Sequence, residues 1–406
     1  MGADKNQSIH VLMFPWLGYG HITPYLELAK KLSSRGFTIY LCSTPATLRF
    51  VYKKITENLS ESIKLVQTTN GLPSHLMPSL KEAFDLSVND FSNILKQLKP
   101  DLLIYDVVQP WAPLVAKEHN IPAVQFITSS STMTSFMFHC FREPWIEFPF
   151  PDIYYRDYEY SEMKRLLECD PTERDMATEG VERSSEIVLI KGFRDIEGKY
   201  IDYVTSLFGK KFVPVGPLVP EPIPDEKEDD SSGIFSWLDM KGRKSTVFVS
   251  FGSEYFLSKE DMHEIAYGLE LSKINFIWVV RFPKGANGHN GCWRKHCQED
   301  FLKAIVVGID GEYELWGPNY SSSNSHDQPI NARLVEEIGV GVEVVRERNK
   351  RLSGERLAAV IKQVVMEDCG EVVREKAAEM REKLKSKGDE EIDEVIKELV
   401  TICNNS

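Results

Sequence analysis

Hydrophobic positions along the first fifty residues switch between two periods. Residues 9–16 are apolar and β-rich, and 17–24 form a Gly-containing loop. Residues 25–35 then set Leu26, Leu28, Ala29 and Leu32 at helical spacing until Gly36 stops them. Residues 37–44 read as a second strand. A strand–helix–strand unit of this kind predicts a parallel sheet. Further strands are expected at 101–105, 123–128, 187–190 and 212–215.

The pattern breaks after 215. Residues 216–233 carry prolines followed by an acidic run, which cannot continue a sheet. A second α/β pattern follows: strand 245–251, amphipathic helix 258–272, strand 275–281 and helix 353–366, with Ser353 placed to cap it. A charged helix at 370–387 and a final helix at 390–403 end the chain. The expected organisation is a first domain at 1–215, a linker at 216–236, a second domain at 237–385 and a C-terminal helix at 386–406. Two such domains would face each other across a cleft, with ligands at the carboxyl ends of the strands.

Composition narrows the function classes. The 406 residues exceed what one core usually serves, and 42% hydrophobic content suits a folded chain. A net charge of −13 argues against nucleic acid or an anionic membrane as partner. No apolar run approaches the roughly 18 residues that a spanning helix needs. The N-terminus lacks the basic region and cleavage site of a secretory signal. Seven scattered cysteines fit a reduced compartment, so a cytoplasmic location is expected, and the chain is expected to be a monomer. Cys292 and Cys297 flank His296, but their spacing is not a zinc pattern and no metal is expected.

Candidate chemistry sits at the strand ends. Gly18 and Gly20 allow a sharp turn after the first strand, but Thr23 occupies the place of the third glycine of a dinucleotide fingerprint. A nicotinamide dehydrogenase is therefore disfavoured. The loop offers His21, whose imidazole can act as a base near neutral pH. It can equally be a surface histidine. Asp106 directly follows the strand 101–105 and could hold the second nitrogen of His21, or cap the following helix. In the second half, the strand 245–251 runs into Gly252 and Ser253 before a helix. Small residues there would let backbone N–H groups approach a diphosphate.

These segments together (FPWLGYGHITPYLELAKKL, DLLIYDVVQPWAP, STVFVSFGSEYF and DQPINARLVEEIGVGVEV) resemble plant family 1 UDP-glycosyltransferases, and most of all those that add a sugar to the sugar of a glycoside. The resemblance covers residues 9–283 and 327–400. It implies an α/β, GT-B fold of two Rossmann-like domains with the second incomplete. It implies inverting transfer of a sugar, glucose being the expected one, from a UDP-sugar co-substrate to a small-molecule glycoside, without a metal or other cofactor. By the same resemblance His21 is the base, Asp106 its partner, Gly252 and Ser253 face the diphosphate, and Asp327 and Gln328 bond the sugar hydroxyls.

Between Pro283 and His326 the resemblance fails. The family carries there a donor signature whose Trp stacks on uracil and whose His, Asn, Ser and Glu hold phosphate and ribose. This chain lacks it. Trp316-Gly-Pro-Asn319 imitates its opening but lies too near Asp327. Reading the codons of 310–320 one nucleotide later permits Met-Glu-Ser-Met-(Asn/Ser)-Phe-Gly-Val-Pro-Ile, close to the family's own wording. Residues 309–325 are therefore read as out of frame. A catalytically inactive product is the alternative that this break raises.

Overall fold

The structure, a computed structural model, describes residues 8–55, 57–67, 87–160, 164, 171–218, 233–242, 245–251, 257–280, 327–349 and 351–405. The chain divides into two compact units. One comprises Met1–Phe148, Arg165–Ile223 and Lys387–Ser406; the other comprises Pro149–Lys164 and Pro224–Ser386. Sequence reading assigns 149–164 to the first domain and leaves the C-terminal helix separate. In the structure Pro149–Lys164 groups with the second unit and Lys387–Ser406 with the first.

The first unit is built on a seven-stranded, all-parallel sheet. Its strands are β1 (His10–Phe14), β2 (Thr38–Ser43), β3 (Ile63–Gln67), β4 (Leu102–Asp106), β5 (Ala123–Ser130), β6 (Ile187–Lys191) and β7 (Lys211–Pro214). Their order is β3-β2-β1-β4-β5-β6-β7. Both faces are covered, as a parallel sheet requires. Alternate residues of β1 divide between two cores. Val11 and Met13 pack on one face with Leu102 and Ile104 of β4. Leu12 and Phe14 pack on the other with Leu103 and Tyr105. Each such buried side chain stabilises the unit by about 1.5–3 kcal/mol.

Helix α1 (Tyr19–Ser33) lies on the first face, burying Ile22, Tyr25, Leu26, Leu28, Ala29 and Leu32. It begins six residues before the start expected from sequence. Pro24 suggests a loop, yet it costs only one rung of the ladder, and the buried stripe outweighs that loss. The edge strand β3 is additional to the strands expected from sequence. Its alternation is weak because Lys64 and Gln67 face solvent at the sheet's rim.

The last helix, Asp368–Asn405, is continuous over 38 residues where two helices are expected. Gly388 lowers helix propensity by about 1 kcal/mol, but Ile392, Val395, Leu399 and Ile402 complete the first core and hold the ladder together. Gly388 also meets Gly216, whose φ is +77°. A Cβ on Gly216 would lie 2.9 Å from the Gly388 carbonyl oxygen. Ion pairs of Lys31 with Asp389, Arg35 with Asp393, and Lys211 with Glu394 and Glu398 flank the contact.

In the second unit the described strands are β8 (Thr246–Val249) and β9 (Asn275–Trp278), paired in parallel. The helices Lys259–Ser272 and Gly354–Met366 pack with them around Val247, Val249, Ile265, Leu269, Phe276, Leu357 and Ile361. Ser353 caps its helix as expected, accepting from the Arg356 amide. No described helix is long and apolar enough to cross a membrane.

Buried in the first unit is one titratable group that sequence does not disclose. Glu197 accepts hydrogen bonds from the Thr132 amide (2.8 Å) and hydroxyl (2.9 Å) at the start of the helix Ser131–Arg142. Burial outweighs these donors and pushes its carboxyl up to about 7. A folded value above the unfolded one means that its stabilising contribution is complete below about pH 4.5 and is lost as pH rises through 7. Glu197→Gln, which keeps an acceptor for Thr132, is expected to remove this loss. Urea unfolding at pH 5 and pH 8 checks it. The fall in stability between the two should shrink in the variant by on the order of 2 kcal/mol, and an unchanged fall contradicts the assignment.

Candidate active site

The chain runs outward from β1 to β2 and β3, then returns to lay β4 beside β1 and continues to β5. The reversal makes a switch point between β1 and β4, where folds of this class bind ligands at the strands' carboxyl ends. His21 follows β1 and Asp106 ends β4. The sheet therefore delivers the two residues to one place although 85 positions separate them.

His21 occupies the first turn of α1, not a loop. Its amide and that of Ile22 both donate to the Gly18 carbonyl. The ring nitrogen Nδ1 lies 2.9 Å from Asp106 Oδ2, with the His21 side chain 18% exposed and that of Asp106 fully buried. A carboxylate can only accept, so Nδ1 carries the proton and donates it, which makes Nε2 the accepting nitrogen of the ring. Thr128, at the carboxyl end of β5, places its hydroxyl 3.3 Å from the same Nδ1. Three adjacent strands thus orient one imidazole.

Asp106 is itself fixed from several sides. Its Oδ2 also accepts from the Trp16 amide at 3.3 Å and its Oδ1 from the Val108 amide at 3.4 Å. The Gln109 side chain accepts from the Asp106 amide at 3.1 Å, and the Gln109 amide donates back to the Asp106 carbonyl. The next helix, Ala112–Glu118, is preceded by Trp111, so Asp106 does not cap it. Thr128 and Gln109 are not among the site residues expected from sequence. A hydroxyl-rich run directly after an apolar strand, Thr128 to Ser131, was the available signal for the first.

Asp327 and Gln328 open the helix Asp327–Glu337 in the second unit, with Asp327 buried and Gln328 half-buried. An acid in a helix's first turn is favourably placed against the helix dipole. Gly252 and Ser253 lie outside the described residues, as do 284–326, the stretch where the donor signature is missing, and with it Cys292, His296 and Cys297. Among the described residues no group of three or more His, Cys, Asp or Glu side chains could hold a metal ion.

No family model matches the chain. Individual proteins do. It is 43% identical to the beta-D-glucosyl crocetin beta-1,6-glucosyltransferase of Gardenia jasminoides, covering 96% of this chain and 98% of that protein. It is 40% identical to UDP-glucosyltransferase 29 of Panax ginseng, with 98% of each covered. It is 36% identical to the flavanone 7-O-glucoside 2''-O-beta-L-rhamnosyltransferase of Citrus maxima over the whole of both chains. The first of these alignments runs over 442 positions, more than the 406 residues present here, so that relative carries residues this chain lacks. Among solved structures, Glycyrrhiza uralensis UGT73P12 complexed with glycyrrhetinic acid 3-O-monoglucuronide superposes with a TM-score of 0.74 at 20% identity, covering 98% of this chain and 96% of that one. Phytolacca americana UGT2 complexed with UDP-2fluoro-glucose and pterostilbene gives 0.71 at 20% identity, with 97% and 100% covered. These structural neighbours are GT-B proteins and share the fold. From its identity to full-length relatives, the chain belongs to the plant UDP-glycosyltransferases.

Proposed function

We propose that the chain transfers a sugar, glucose, from UDP-glucose to a hydroxyl of a small-molecule plant glycoside, with inversion at the anomeric carbon. His21 Nε2 takes the proton of the acceptor hydroxyl. The freed oxygen pair bonds to the anomeric carbon while the bond to UDP breaks on the opposite face, its electron pair leaving on the diphosphate. Asp106 holds His21 in the tautomer that can accept, and stabilises the imidazolium that forms. Gly252 and Ser253 face the diphosphate and supply backbone N–H groups to it, while Asp327 and Gln328 bond the sugar hydroxyls. The reaction uses no metal and no cofactor beyond the UDP-sugar. The protein works as a monomer in the cytoplasm, a compartment in keeping with the unpaired cysteines at 42, 140, 369 and 403.

One observation carries this reading: the 2.9 Å contact of His21 with a fully buried Asp106 at the sheet's switch point. A second reading, a catalytically inactive glycosyltransferase-like protein or the product of a defective gene, is favoured by the missing donor signature between residues 284 and 326. Calorimetric titration with UDP-glucose, followed by a UDP-release assay with a glucoside acceptor, separates the two. Saturable binding and acceptor-dependent UDP release are the expected results; absence of both establishes the second reading.

A further inference from the structure

The second unit holds a closed cluster of two arginines and two glutamates on three separate stretches of chain. Arg333, 3% exposed at its side chain, sends Nη2 to Glu159 Oε2 at 2.6 Å and Nη1 to Glu343 Oε1 at 3.0 Å. Arg156 grips both oxygens of Glu343 at 2.8 Å and touches Glu159 at 3.4 Å. Tyr154 lies beneath the Arg333 guanidinium, 5.2 Å from ring centre to guanidinium carbon.

Two observations tie this cluster to more than folding. Ion pairs this buried contribute little net stability against an apolar replacement, so geometry is the better account of them. The geometry is specific: Arg333 Nη1 also donates to the Pro329 carbonyl at 2.8 Å. Pro329 follows Gln328 directly, in the same first helical turn as Asp327. The arginine's rigid fork thus spans the turn that carries both residues and anchors it to Glu159, which lies 174 positions earlier in the chain.

We infer that Arg333, clamped between Glu159 and Glu343, is a positioning residue that sets Asp327 and Gln328 against the donor sugar. The inference rests on the glycosyl-transfer reading above. It also assigns a task to residues 149–164, a stretch of the chain's first half that packs in the second unit.

The test compares the Kd of the full chain for UDP with its Kd for UDP-glucose, by calorimetry, in the parent and in Arg333→Lys. Lysine keeps the charge but cannot reach three acceptors in one plane. Misplacing a binding group by a fraction of an ångström costs about tenfold or more. The affinity for UDP-glucose relative to UDP is therefore expected to fall about tenfold, with UDP binding itself unchanged. Glu343→Gln, a neutral replacement of the same shape, is expected to shift the ratio in the same direction and serves if the lysine variant does not fold. Equal weakening of both ligands, or an unmoved ratio in a folded variant, overturns the clamp. A parent chain that binds neither ligand overturns the glycosyl-transfer reading, and this inference with it.

Discussion

Replacing His21 with alanine lowers acceptor-dependent UDP release by about 10²–10⁴-fold, the usual contribution of a positioned base. Binding of UDP-glucose stays within about twofold, because in the proposed mechanism the ring acts on the acceptor proton and not on the donor. The loss appears in kcat more than in the donor KM. The structure makes the substitution mild for folding. His21 is partly exposed in the first turn of its helix, and its backbone amide bond to Gly18 survives in alanine. A His21→Ala chain that keeps parental turnover would remove the imidazole from the mechanism.

Asp106→Asn tests the partner by a different route. The substitution preserves shape but exchanges an obligate acceptor for a side chain that can present an N–H to His21 Nδ1. The ring then turns over its tautomer, placing the proton on Nε2 and leaving no lone pair for the acceptor hydroxyl. Turnover is expected to fall by on the order of 10²-fold or more. The Trp16 and Val108 amides, which now donate to the carboxylate, compete for the one oxygen that remains. Raising the pH does not rescue the variant if tautomer choice is the cause, since the proton is then on the wrong nitrogen at every pH where the ring is neutral. A pH–rate profile for Asp106→Asn that recovers parental activity at high pH would contradict this account.

Much of the first unit is legible in the chain because its signals are local. The strand before His21 and the strand ending at Asp106 are continuous apolar runs, as strands buried on both faces must be. Ser353 announces its helix by a hydroxyl three residues before the amide it caps. What stays hidden depends on partners distant in sequence. Glu197 looks like a solvated acid in a charged helix, and only the packing of Thr132 above it shows that it is buried. Arg333 belongs to an ordinary amphipathic stretch until Glu159 arrives from the far side of the linker. The break expected near residue 388 failed for the same reason: propensity favours two helices, while an apolar stripe reaching back to β1 and β4 favours one.

That stripe has a bearing on how the protein is made. Ile392, Val395, Leu399 and Ile402 close a core whose other walls come from the first half of the chain. During synthesis the N-terminal sheet keeps one apolar face unsealed until residues 392–402 have been made and have cleared the ribosome. A chain stopped before residue 392 would therefore be released with that face bare, and would be prone to aggregate.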